Sequence, residues 1–162
     1  MNFNRGDQVV HRDFGVGTVV TIELMSFSHN QLRLFYRVEF LKTTIWVPVS
    51  EASDNRLRLP TPPGDFEALF AILSSPAQPL SDDRNTRKTQ LSDQLKDGKL
   101  ASVCQALRDL TFHLRTKKIN EDDKAVMERA QNFLLNEWAL SLSVSVAQAK
   151  KQLQHLLGEE TS

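Results

Sequence analysis

Short apolar pairs alternate with glycines and polar turn residues over the first fifty residues. Val9 and Val10 are β-branched, and the Gly6-Asp7 pair before them is typical of a tight turn. Gly15 and Gly17 mark a point where we expect the chain to bend and re-enter a sheet. Further strand-like segments cover residues 18–24, 32–40 and 43–49, with a polar turn at 26–30. The pattern predicts a compact antiparallel meander of four or five strands.

Residues 60–64, with the sequence PTPPG, form the densest group of strand and helix breakers in the chain. The polar segment 51–59 precedes them, and the composition changes there from strand-like to helix-like. We therefore predict a β domain at residues 1–59, a linker at 60–64 and a helical domain at 65–162.

Beyond the linker, apolar residues repeat at steps of three and four, which predicts helices. Asp65 and Asn120 are suitable N-cap residues, and Gly98 is a suitable helix stop. Helices are predicted at residues 65–74, 81–98 and 99–117, then from 120 and from Ser143 or Ser145. The predicted fold class is α+β in two domains, an N-terminal small antiparallel β-barrel and a C-terminal all-α bundle of about five helices.

Charge and cysteine content narrow the class of protein. Basic and acidic residues balance at 20 each, so any contact with a polyanion has to come from a local patch. The single cysteine, Cys104, excludes an internal disulfide and fits a reducing compartment. With no apolar run of signal-peptide or membrane-spanning length, we expect a cytoplasmic protein without a membrane partner.

The residues typical of catalysis are scattered. The four histidines have no metal-ligand spacing, and Cys104 occupies an apolar helix position, which favours a buried hydrophobe over a nucleophile. The Gly15-Val16-Gly17 run lacks the rest of a phosphate-binding signature. Acid pairs at residues 82–83 and 122–123 are explained by helix starts better than by acid–base chemistry. We expect a protein that is not an enzyme and that uses no metal, cofactor or small-molecule substrate.

The last long strand-like segment, 43–49, carries a candidate docking residue. Alternation that turns Ile45 and Val47 inward turns Thr44 and Trp46 outward. An outward tryptophan is a common interface anchor. The alternative, that Trp46 folds over the rim of the barrel, is equally compatible with the sequence.

Basic residues gather in the second predicted helix. Arg84, Arg87 and Lys88 are three and four residues apart and so share a helical face. Together with Lys124 they could contact DNA phosphates. The alternative is an ordinary solvated helix face, because acids at 82 and 83 lie beside the cluster. Trp138 lies deep in a periodic helix and is interpreted as a core residue.

Several residues in this order and spacing resemble the CarD-type bacterial transcription regulators over nearly the whole chain. The barrel is also similar to that of the transcription-repair coupling factor. The matching positions are Phe3, Gly6, Asp7, Val9, Val10, His11, Gly15, Gly17, Val19, Thr21, Ile22, Glu23, Val47, Pro48, Val49 and the ALRDL run at 106–110.

The resemblance implies a Tudor-like or SH3-like barrel that docks on the β subunit of RNA polymerase. It also implies a helical domain that contacts promoter DNA without reading its sequence and modulates open-complex stability. The RNA-polymerase-binding residues it implies are Met25, Thr44, Ile45 and Trp46. The DNA-binding residues are Arg84, Asn85, Arg87, Lys88 and Lys124.

This chain departs from the family pattern at both surfaces. Met25 and Trp46 stand where basic residues are usual, so the contact with polymerase is expected to be more apolar. The family's tryptophan wedge aligns with Arg84 or Asn85, and a guanidinium cannot unstack a base step as an aromatic ring does. The alternative function is a protein–protein adaptor that has lost the DNA-wedge role.

Overall fold

The computed structural model describes residues 2–26, 31–51, 56–118 and 120–158. The chain divides into two compact units, Met1–Pro60 and Thr61–Ser162. Within the described residues, no helix combines the length and apolar character that spanning a membrane requires.

The first unit is an antiparallel sheet, as predicted. Its strands are β1 (Gln8–His11), β2 (Gly15–Met25), β3 (Arg33–Glu39), β4 (Thr44–Pro48) and β5 (Leu57–Arg58). Their order across the sheet is β4-β3-β2-β1-β5. The sheet is open, with β4 and β5 at its edges, so it is barrel-like only in a loose sense. A single helical turn, Val49–Glu51, follows β4.

Two expectations about this unit need adjustment. The predicted bend at the two glycines is confined to Gly15, whose φ of 77° opens β2, whereas Gly17 lies inside β2 opposite Val9. A Cβ on Gly17 would lie 2.7 Å from the Phe40 ring and 2.9 Å from the Glu39 carbonyl, so a side chain does not fit there. The short strand β5 was not predicted. Most of the predicted polar turn, residues 27–30, lies outside the described residues, as do residues 52–55.

The core of the sheet unit comes from alternate positions along each strand. The Phe3 amide donates a hydrogen bond of 3.1 Å to the Tyr36 hydroxyl, and the two rings meet edge to face. The buried cluster consists of Phe3, Val9, Val19, Tyr36, Val38, Val47 and Leu57. Val47 belongs to this cluster and Ile45 packs against it, which confirms the predicted inward positions of β4.

The second unit is all-helical, as predicted. Its helices are α1 (Phe66–Ser74), α2 (Arg84–Leu95), α3 (Leu100–Thr116), α4 (Glu121–Leu142) and α5 (Val146–Leu156). Local caps explain three of the starts. Asp83 accepts from the Thr86 amide and Asn120 from the Asp123 amide, whereas Ser145 and Gln148 form a reciprocal capping box.

Local caps do not explain every predicted start. Asp65 occupies the N-cap position of α1, as predicted, but it does not cap the helix through its side chain: it ends a 3-10 turn, Pro63–Asp65, has helical backbone angles, and its side chain makes no capping bond. Ser143 does not start α5, because its φ of 54° places it in the left-handed conformation that ends α4. The start of α5 is therefore at Ser145, one of the two predicted alternatives.

The helical core buries Trp138 and Cys104 completely, which confirms their interpretation as core residues. Polar contacts also lie inside this unit, and one of them involves the predicted linker. The Glu137 side chain is fully buried and accepts hydrogen bonds from the Thr61 amide, at 2.7 Å, and the Thr61 hydroxyl, at 2.6 Å. Thr61, within the predicted linker, is thereby held to the helical unit.

Candidate protein- and nucleic-acid-binding surfaces

Trp46 lies at the edge of the sheet, on the face opposite the core, and its side chain is held there by a carboxylate. The indole Nε1 donates to Glu23 Oε2 at 3.1 Å, while the other oxygen, Oε1, accepts from Thr21 at 2.7 Å and from Arg37 at 3.2 Å. Trp46 remains 39% exposed. The outward position predicted from alternation is confirmed, and the indole is oriented without being buried.

Hydrogen bonds to Glu23 favour its charged form. The bond from the Thr21 hydroxyl contributes most, followed by the Trp46 indole, and together they hold the pKa of the Glu23 carboxyl below its ordinary value. Glu23 is therefore ionised at neutral pH and can keep accepting from the indole.

The other predicted polymerase-binding residues are distributed over both faces. Ile45 turns inward onto the core, whereas Thr44 is half-buried next to it in β4. Met25, at the end of β2, pairs with Arg33 of β3, whereas Trp46 of β4 pairs with Arg37 of β3. The two positions on β3 are four residues apart. At about 3.3 Å per residue, that separates the two pairing positions by roughly 13 Å along the strand. The structure does not bring Met25 beside Trp46.

An exposed apolar set was missed by the sequence interpretation. Leu24 pairs directly with Leu34 and Ile22 with Tyr36, so the core face of the sheet continues beyond its buried part. The four side chains are 45–64% exposed: Ile22, Leu24, Leu32 and Leu34. The alternating Ile22-x-Leu24 and Leu32-x-Leu34 patterns were the available signal, but alternation alone does not tell where the core ends.

Arg84, at the start of α2, is exposed but paired. Its Nε and one terminal nitrogen donate to the same oxygen, Asp122 Oδ2, at 3.2 and 2.7 Å. This bond is the main reason why the pKa of the Asp122 carboxyl is below its ordinary value, and Lys88 adds a smaller effect of the same sign. Arg84 and Lys88 thus both act on one carboxylate at the start of α4.

Arg87 was predicted to bind DNA, but the structure buries it. It is 4% exposed, and its guanidinium forms a bidentate pair with buried Asp123 at 2.9 and 2.7 Å. A third nitrogen donates to the carbonyls of Ser81 and Asp82. The hydrogen bond with Asp123 raises the pKa of Arg87. Arg87 is therefore a structural cation joining α2 to α4, and it is not available to a phosphate.

A sequence signal for Arg87 did exist. Arg87 is four residues before Leu91, which is buried, and eight before Leu95, which packs on the same cluster. These positions form the packed stripe of α2, so Arg87 turns toward the bundle, whereas Arg84, Asn85 and Lys88 are exposed.

Lys124 is exposed but lies two residues beyond Asp122, about 200° further round α4. No described contact joins it to Arg84 or Lys88. Lys117, in contrast, reaches Asp82 at 3.6 Å. The surface around the starts of α2 and α4 therefore carries both signs of charge. We call it the helix-start surface, and it comprises Asp82, Asp83, Arg84, Lys88, Lys117 and Asp122.

Two groups of types common in catalysis, Cys104 and His11, occupy structural positions. Burial raises the pKa of the Cys104 thiol to about 12, which leaves it protonated and unreactive. Burial also lowers the pKa of His11, whose Nδ1 accepts from the Asp13 amide. Among the described residues, no group of three or more histidine, cysteine or carboxylate side chains is arranged to hold a metal ion.

Comparison with known proteins agrees with the two-unit arrangement. The CarD-like/TRCF RID domain model matches residues 3–59, and the CarD C-terminal domain model matches residues 68–154. The chain is also 24% identical over 152 residues to the protein named "Putative transcription factor YdeB" of Bacillus subtilis (strain 168), covering 91% of this chain and 97% of that protein. Both domain models match in order, and the second match alone covers more than half of the chain. This chain therefore belongs to the CarD family of transcription factors.

Proposed function

We propose that this protein is a non-enzymatic transcription regulator of the cytoplasm. In this proposal the sheet unit docks on the β subunit of RNA polymerase, and the helical unit contacts promoter DNA without reading its sequence. Membership of the CarD family supports both parts. The observation that carries the proposal is the exposed, pre-oriented Trp46 on the edge strand β4.

An indole held in one orientation loses little side-chain entropy on binding, which is the property of a good interface anchor. Strand β4 also offers the partner a backbone edge, because no strand among the described residues pairs with its outer side. The exposed leucines of β2 and β3 add apolar contact area on the other face of the same sheet. A docking surface of this kind depends little on charge, in agreement with Met25 and Trp46 standing where basic residues are usual.

The helical unit would then act by differential contact. It can shift the equilibrium between closed and open promoter only if it contacts DNA better in one of the two states. Exposed Arg84, Asn85 and Lys88 on α2, with Lys124 on α4, are the residues we assign to phosphate contact. Contacts of this kind are sensitive to salt and carry no sequence information.

Binding of the purified protein to the isolated polymerase β lobe tests the first part. Trp46→Ala is expected to weaken binding by at least about tenfold, as loss of a buried aromatic anchor does. The matched control is Leu59→Ala, which removes a side chain that is 48% exposed beyond β5, at the opposite edge of the sheet. Absence of binding at tens of micromolar, or equal binding by wild type and Trp46→Ala, would contradict the docking proposal.

A second candidate function is a protein–protein adaptor without DNA contact. It is favoured by one observation, the neutralisation of Arg84, Arg87 and Lys117 by acids of the same unit. Anisotropy titration with promoter DNA at low salt distinguishes the two functions. The informative variant is Lys88→Ala with Lys124→Ala, because replacing Arg87 would disturb the fold. Weaker DNA binding by this variant supports the regulator, whereas negligible binding by both proteins supports the adaptor.

A further inference from the structure

Acid–base pairs at the starts of α2 and α4 differ in what they leave accessible. Arg87 and Asp123 are 5% and 6% exposed at their side chains, so this pair belongs to the core. Arg84 and Asp122 are 61% and 47% exposed. Lys117 and Asp82 are similarly open and 3.6 Å apart. Two cations of the helix-start surface are thus accessible to solvent while each faces an acid of its own chain.

The Arg84–Asp122 pair uses some of the donors that a phosphate would bind. Arginine recognises carboxylates and phosphates with the same planar fork of N–H groups. Here two donors of that fork converge on Asp122 Oδ2. Asp122 thus occupies the Nε edge of the guanidinium. A DNA phosphate at Arg84 must either displace this oxygen or use the remaining N–H groups, and in both cases it lies close to the negative charge of Asp122.

We propose that Asp122 is an affinity-determining residue of this surface, an intramolecular competitor that limits how strongly Arg84 binds DNA phosphates. This inference rests on the proposed DNA contact. Asp82 does the same for Lys117, with a smaller effect, because its partner is a single ammonium at longer distance. A phosphate can displace Asp122 from Arg84 because exposed ion pairs are weak and open readily.

Three properties of the surface follow from this arrangement. DNA binding by the wild type is weak, because a phosphate contact at Arg84 or Lys117 competes with an existing ion pair. Removing the charge of Asp122 strengthens binding mainly through Arg84, with a smaller contribution through Lys88, which also acts on this carboxylate. It also steepens the dependence on salt, since each additional phosphate contact increases the log–log slope by about 0.9.

The test is a set of anisotropy titrations of the full chain with one labelled duplex of promoter DNA at two or more salt concentrations. The variants are Asp122→Asn, Arg84→Gln and the double variant. Asparagine keeps the shape of Asp122 and removes its charge. The matched control is Glu67→Gln, an exposed acid in the first turn of a different helix, α1, which changes net charge by the same amount.

We expect Asp122→Asn to bind the duplex about two- to fivefold more tightly than the wild type. Glu67→Gln should bind like the wild type. In the Arg84→Gln background, Asp122→Asn should bring a clearly smaller gain, because the cation that Asp122 binds directly is gone and only Lys88 still faces this position. Thermal unfolding of each variant establishes that it is folded at the titration temperature.

The outcomes separate the two claims. If neither the wild type nor Asp122→Asn binds DNA at low salt, the proposed DNA contact fails. If the wild type binds and Asp122→Asn is no tighter, or Glu67→Gln gains as much, the competitor role is overturned and the DNA contact stands. A gain that is undiminished without Arg84 also overturns it, since the effect would then be one of charge and not of competition for Arg84.

Discussion

Carboxylates hold a surface side chain in place in both units, with opposite consequences. In the sheet, Glu23 accepts from the Trp46 indole and leaves the aromatic face open to a partner. In the helical unit, Asp122 accepts from Arg84 and engages two of the guanidinium donors that could bind a phosphate. A carboxylate contact therefore orients the indole and leaves its ring surface free to bind a partner. The same kind of contact occupies part of the hydrogen-bonding capacity of the guanidinium.

This difference follows from which part of each side chain recognises a partner. The indole offers its ring surface to a protein and needs its N–H only for orientation. Arginine binds anions through the N–H groups themselves. A neighbouring acid thus preorganises a tryptophan but competes for an arginine, and several measurements can break or sharpen this comparison.

The largest expected effect concerns the buried counterpart of these pairs. Arg87→Met leaves Asp123 charged and unpaired in the core, which should lower the free energy of unfolding of the helical unit by about 3 kcal/mol or more. Chemical denaturation followed by helical circular dichroism measures this loss. Arg84→Met is the control, and its change should be much smaller because that pair is exposed. Equal losses would contradict the distinction between the two pairs.

The double variant Arg87→Met with Asp123→Leu refines this prediction. Removing both charges eliminates the unpaired ion, so most of the stability lost in Arg87→Met should return. A double variant as unstable as Arg87→Met would indicate that the carbonyl contacts of Arg87, and not its pair with Asp123, dominate.

A neutral donor to a buried carboxyl should give an intermediate effect. Thr61→Val removes the hydroxyl that donates to Glu137 while keeping a β-branched shape, and should cost about 1–2 kcal/mol of unfolding free energy. Thr89→Val removes a hydroxyl that donates to an exposed backbone carbonyl and should cost under about 0.5 kcal/mol. The backbone amide of residue 61 also donates to Glu137. Its hydrogen exchange should be faster in Thr61→Val than in the wild type.

The smallest effect is the titration of Glu23. Its folded pKa lies below the ordinary value, so the carboxylate contributes stability above the ordinary glutamate pKa and loses it as pH falls through the folded pKa. The indole N–H resonance of Trp46 should report this with a midpoint below the ordinary glutamate range. Glu23→Gln should abolish the titration. A midpoint at or above the ordinary value would contradict the described hydrogen bonds.

Local sequence was sufficient to predict several elements of both units. Asn120 and Ser145 start their helices through side-chain bonds to amides three residues on, and such caps depend on neighbours in the chain alone. Alternation along β4 likewise predicted that Val47 turns inward and Trp46 outward. The Asp65 side chain makes no capping bond, because Asp65 belongs to the 3-10 turn before α1 and has helical backbone angles. The residue type alone does not reveal that turn.

The chain's residue pattern by itself determined that a β unit precedes a helical one and which faces of their elements are apolar, because those properties follow from periods of two and 3.6 residues. Only the tertiary structure decided that Arg87 is buried against Asp123 while Arg84 stays at the surface with Asp122. Helical spacing alone places the two arginines close together on α2. Their different burial depends on carboxylates far along the chain, Asp123 at 36 residues from Arg87 and Asp122 at 38 residues from Arg84. The length of β2 and β3 beyond the core was decided in the same way, since the exposure of Leu24 and Leu34 depends on what packs against the sheet.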